Sequence, residues 1–281
     1  NRLLGEAGVD LCRESGTMYV GRYPIYEDCS RNINISFGQT VFHQVNKELA
    51  PLMRINQWLI KAIAHQLNSV FVEAWEQRQA INPCRTVDFL DLINTLAPLL
   101  PAIETSIIVD LNQRLETAWT QLLREFPAQS EVRLCATDID HLISRLNKDL
   151  DVSDFTVFGS DYHSPDLLLS SASIEAFNLG HYEIIVGEVH PAVHTLSQPV
   201  ADPFGPYNSQ ICQQVETIFQ RPRLILADSP DSYQRSHIDW PLQPFYLQLV
   251  LPSGGGCVEP HQQFAAGRAK VLFVNGRLQV V

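Results

Sequence analysis

Apolar residues recur at two spacings along this chain, and the change between them divides it into three parts. Thr17–Tyr26 is dominated by aromatic and β-branched residues around Gly21-Arg22, which predicts two short strands meeting at a turn-permissive glycine. From Gln39 to about Gln79, Val41, Val45, Leu49, Leu52, Trp58, Leu59, Ile63, Leu67 and Val70 keep a spacing near three or four. That spacing stacks side chains on one helical face. Pro51 lacks an N–H and is expected to divide this region into two helices or kink it. Val87–Leu99, Ser106–Phe126 and Thr137–Leu150 read as further helices. The second carries Ile107, Leu111, Leu115, Ala118, Trp119 and Leu122 as an inward stripe, and Thr137-Asp138 supply the expected N-cap of the third.

Beyond residue 150 the apolar runs shorten. Leu167–Leu169, Glu183–Val186, Leu224–Ala227, Phe245–Leu251 and Val271–Phe273 read as strands, with helical patterns at Ile174–Leu179 and Ser209–Phe219. Asn275-Gly276 between two β runs suits a type I′ hairpin turn. The expectation is an α+β fold: a β-rich start over 1–38, a helical subdomain over 39–150 and a mixed portion over 151–281.

Composition narrows the class. At 281 residues, 45% hydrophobic and 18% charged, the chain has a globular balance and can bury one large core or two modest ones. A formal net charge of -11 argues against coating nucleic acid by bulk charge, although a local basic groove is compatible with an acidic average. No run approaches the roughly 20 apolar residues of a membrane span. Six cysteines without a CxxC pair resemble neither a zinc pattern nor a dense disulfide framework, so a reduced, cytoplasmic setting is expected. The start at Asn1 and the end just after a strong hairpin suggest a piece of a longer polypeptide.

Three clusters carry candidate chemistry. In Gly187-Glu188-Val189-His190-Pro191, a strand end delivers a carboxylate and an imidazole two residues apart, so Glu188 and His190 are expected to share a face. The plain alternative is a Glu–His hydrogen bond that pins a loop. In Gly21–Arg31, Arg22 and Arg31 can clamp a phosphate or carboxylate while Asp28 orients one of them or serves as a base; a surface ion-pair cluster explains the same residues. His163-Ser164-Pro165-Asp166 reads as a turn that can project His163 and Asp166 towards neighbouring strand ends, or as an Asp-capped turn alone. Glu188, His190 and His194 are metal-ligand types, but no HExxH occurs and Pro191 prevents an uninterrupted helical His pair; no metal is expected. Neither a G-x-S-x-G elbow nor a P-loop is present, and Gly254-Gly255-Gly256 is read as a surface turn.

The order of Tyr19–Arg31, His163–Leu169 and Ile184–Leu196 resembles the large N-terminal domain of lantibiotic dehydratases, from about residue 17 to the final hairpin. The resemblance implies transfer of glutamate from glutamyl-tRNA, as co-substrate, onto Ser or Thr hydroxyls of a ribosomally made precursor peptide, with elimination in a separate domain. It implies Glu188 and His190 as catalytic groups and Arg22, Asp28, Arg31, His163, Asp166 and His194 as substrate-binding, with no further cofactor. The family domain is several times longer, its N-terminal Arg-rich segment has no counterpart here, and Ser197–Phe204 contains no arginine. An internal portion of such an enzyme is the expectation. The alternatives are a non-catalytic scaffold for peptide or tRNA and a metal-dependent hydrolase.

Overall fold

In the computed structural model the helical repeat after Gln39 forms one helix, α1 (Gln39–Ile81), of 43 residues. At helical rise it spans about 65 Å. The expected division at Pro51 does not occur, and the helix runs through it. Pro51 deprives the Lys47 carbonyl of its donor, and Lys47 is exposed, where water can replace the lost bond. The structure describes residues 36–81, 83–128, 131–157, 160–161, 163–191, 217, 223–226, 246–250 and 263–281; within these, the side chains of 164, 188, 190, 191, 223–226 and 246–250 are not described.

β1 (Val87–Asp88) takes the first two residues of the helix expected over Val87–Leu99, leaving α2 as Phe89–Leu96. α3 (Leu100–Leu123) begins earlier than predicted, with Pro101 in its first turn, where a missing N–H costs little. α4 (Ala136–Asp149) is preceded by Cys135 as N-cap, not Thr137. Asp138 closes that end by accepting the Cys135 N–H at 2.7 Å.

Among the described residues, two cores lie along α1. Trp58 and Ala62 pack with Ile107, Leu111, Ala118 and Leu122 of α3 and with Leu142 and Leu146 of α4. Every residue of the predicted α3 stripe is buried here or packed against this core. Nearer the α1 C-terminus, Ala74 meets Val87, Leu92, Leu96 and Val271. Each fully buried Leu or Val contributes about 1.5–3 kcal/mol. Leu52, expected on the inward face, is 40% exposed.

The remaining elements are β2 (His163–Ser170), α5 (Ile174–Asn178), β3 (Glu183–Pro191), β4 (Arg223–Leu226), β5 (Tyr246–Val250), β6 (Gln263–Ala265), β7 (Lys270–Val274) and β8 (Arg277–Val280). β1-β7-β8 form an antiparallel sheet, β2-β3 an antiparallel ribbon, and β4-β5-β6 a parallel sheet. The fold is α+β. The β7–β8 turn has the predicted chemistry: Asn275 and Gly276 both take positive φ, 50° and 78°, between the paired Val274 and Arg277. The Thr17–Tyr26 hairpin lies outside the described residues, as does Ser209–Phe219 apart from helical Thr217. Among the described residues no single helix is long and apolar enough to cross a membrane.

Candidate functional site

Two of the three sequence clusters are ladder neighbours. β2 and β3 pair from Ser170 opposite Glu183 to His163 opposite Pro191. The expected turn at His163–Asp166 is therefore corrected: these are the first four residues of a strand. Proline is tolerated there because β2 lies at an edge of a two-stranded ribbon, where a missing N–H need not break a ladder. Ser164 stands opposite His190 and Pro165 opposite Val189. The register then shifts, so that Gly187 and Glu188 together face Asp166 as a β-bulge. A β carbon on Gly187 would come within 3.4 Å of the Asp166 Cβ. The main chain of Glu188 and His190 is thus brought beside His163 and Asp166, while the expected shared face of Glu188 and His190 concerns side chains outside those described. Arg22, Asp28, Arg31 and His194 lie outside the described residues.

At the start of β2 a cleft of about 460 Å³ opens against the N-terminal half of α1. On the helix, Leu49, Met53, Arg54 and Gln57 line it from successive turns. On the other side stand Ser160, Asp161, His163 and Pro165. The Ser160 N–H and Oγ both donate to the Val157 carbonyl, at 3.2 and 2.9 Å, fixing a turn with Ser160 buried. Gln57 Nε2 donates to Asp161 Oδ1, and Arg54 pairs with Asp140 of α4.

His163 is the best-defined titratable group of the site. Its Nδ1 lies 2.9 Å from Asn56 Nδ2 of α1. An amide nitrogen can only donate, so Nδ1 accepts and the neutral ring carries its proton on Nε2. Nε2 is buried and makes no hydrogen bond among the described residues. Burial holds the imidazole below its ordinary range, while the Ser160 main chain and the Asp161 carboxylate act in the opposite direction.

Sequence reasoning singled out His163 but missed Asn56, Arg54 and Gln57. These polar residues fall in an otherwise apolar helical stretch, which is the one local signal they give; their partners lie about a hundred residues further along. Among the described residues no group of three or more His, Cys, Asp or Glu is arranged to hold a metal ion. No family model, curated protein or solved structure matches the chain.

Proposed function

We propose that this chain is a portion of a lantibiotic dehydratase-like enzyme that transfers glutamate from glutamyl-tRNA to Ser or Thr of a ribosomally made precursor peptide, in a cytoplasmic setting. The observation that supports this reading most is the β2–β3 ladder, in which two of the three resembling segments are direct neighbours. Attack of a hydroxyl on the activated ester needs a proton acceptor and a stabiliser of developing negative charge. In this proposal Glu188 and His190 supply the first, and Arg22 and Arg31 hold the anionic part of the substrates. Asp28 orients an arginine, and His163, Asp166 and His194 contact the peptide. Elimination belongs to a separate domain.

The test is glutamylation of the precursor by the full-length enzyme, read by mass spectrometry. His190→Ala and Arg22→Ala are each expected to slow it by about 100-fold, the scale of losing a positioned acid–base group. Wild-type rates in both would remove these roles.

A second reading, a non-catalytic scaffold for peptide or tRNA, is favoured by one observation. Leu168 and Ile185 face each other across the ribbon and are 61% and 48% exposed, an apolar pair that no described residue covers. Retention of precursor peptide by a variant lacking Arg22, Glu188 and His190 together supports the scaffold over the enzyme.

A further inference from the structure

Residues 39–50 form the arm of α1 that precedes Pro51, and the α1 residues packed into the two cores all follow it. A proline inside a helix removes one bond and crowds the turn before it. A helical arm this short is marginal in water unless something packs against it. Among the described residues, the hydrogen bonds and ring contacts that 37–50 make outside α1 go to α5 and to Tyr182.

The β2–β3 ribbon meets α1 on both sides of the proline. Before it, the Tyr182 hydroxyl donates to Gln44 Oε1 at 2.8 Å. Phe37, just ahead of the helix, packs on Phe177 with ring centres 6.0 Å apart, and Phe177 stacks on Tyr182 at 4.7 Å. These contacts make one anchor. After the proline, Asn56 Nδ2 donates to His163 Nδ1 at 2.9 Å and Gln57 donates to Asp161, which makes a second. Tyr182 immediately precedes Glu183, the partner of Ser170, so the anchors sit at opposite ends of the ribbon. The spans agree. Gln44 and Asn56 are about 18 Å apart along the helix axis, and β2 from Ser170 to His163 covers about 23 Å. Between the anchors Asn46, Leu49, Ala50, Met53, Arg54 and Gln57 turn one continuous helical face to the cleft, past Pro51 without a break.

We propose that the β2–β3 ribbon is a strap that splints α1 across Pro51. With both anchors made, residues 39–50 continue the helix; when the ribbon leaves, α1 opens at the proline. A strap holds only when fixed at both ends, so loss of either anchor is felt on the far side of Pro51. The main chain of Glu188 and His190 belongs to the same ribbon, so a ligand that draws the ribbon off α1 also frees the arm. The device stands apart from the proposed transfer reaction and holds whether or not the ribbon carries catalytic groups.

The test is amide hydrogen exchange of the intact chain, read residue by residue along α1. Tyr182→Phe removes the hydroxyl and keeps the ring that stacks on Phe177. It is expected to accelerate exchange about fivefold at residues 52–54, beyond the proline, as well as around Gln44, the scale of one hydrogen bond. His163→Ala, at the other anchor, is expected to accelerate residues 43–45 by at least the same factor. Pro51→Ala restores the helical bond and should return the Tyr182→Phe protein to the unaltered rate or below. If Tyr182→Phe changes exchange around Gln44 alone, the anchors are separate contacts and the strap is overturned. Equal acceleration throughout α3 assigns the effect to a general loosening of the fold and overturns it as well. Failure of Pro51→Ala to slow exchange in the Tyr182→Phe protein removes the proline as the point of opening.

Discussion

His163 joins the start of β2 to the middle of α1 by a single imidazole–amide hydrogen bond, and its protonation state is tied to that bond. A protonated ring would present a donor at Nδ1 to the Asn56 amide nitrogen, which is itself a donor. Burial works in the same direction, holding the folded-state pKa below that of the unfolded chain. The sign follows. As pH falls below about 6.5, the unfolded state takes up a proton that the folded state resists, so unfolding becomes easier. The His163 contribution is fully present above that value and is lost as pH falls through the folded-state pKa. His163→Gln keeps an acceptor for Asn56 and removes the titration, so its urea midpoint should fall less than that of the unaltered protein between about pH 7.5 and 5. Equal decline in the two proteins would assign the pH dependence to other groups. The residue itself was legible in the sequence, because a His beside Ser-Pro-Asp stands out. Its environment was not, since Asn56 lies 107 residues earlier and nothing in either segment names the other.

Elements were legible where their signal is local. The α3 stripe gives a buried face because helical spacing alone decides which side chains meet. Asn275-Gly276 gives a tight hairpin because both residues tolerate positive φ. Gly276→Val forces a β-branched residue to φ 78° and should cost about 1–2 kcal/mol, read as a lower urea midpoint. An unchanged midpoint would mean that the turn had moved to another geometry. Elements set by distant partners were not legible. β1 is a strand because Val87 and Asp88 find Val271 and Lys270, more than 180 residues away. The bulge at Gly187-Glu188 is likewise a property of a pair of strands and has no signature in one of them. The expected division at Pro51 does not occur, and nothing in its own segment marks it as tolerated; the α1 residues of the two cores, Ile55 to Trp75, all lie on its C-terminal side. Pro51→Ala restores the missing N–H and should stabilise the protein by about 1–3 kcal/mol, seen as a higher thermal midpoint. A lower midpoint would show that the proline is needed for the course of α1.

At the scale of the molecule, α1 runs through both cores. Its middle contributes Trp58 and Ala62 to the helical core, and its end contributes Ala74 to the core containing β1 and β7. The β7–β8 hairpin also reaches both regions. Phe273 stacks on Trp75 with ring centres 5.4 Å apart, while the Arg277 guanidinium lies 4.7 Å from the centre of the Phe155 ring beside the helical core. Damage to one core should therefore be felt in the other. Leu142 is fully buried among α1, α3 and α4, so Leu142→Ala should cost about 2–5 kcal/mol. Leu168→Ser, on the exposed ribbon face, should change stability by no more than about 0.5 kcal/mol. Amide hydrogen exchange in Lys270–Val274 distinguishes a shared unit from two separate ones. If the cores open together, Leu142→Ala accelerates exchange in that strand although it does not touch it, and Leu168→Ser does not. If exchange there stays at the unaltered rate while the α3–α4 helices open more easily, the cores unfold independently and α1 is a spacer between them.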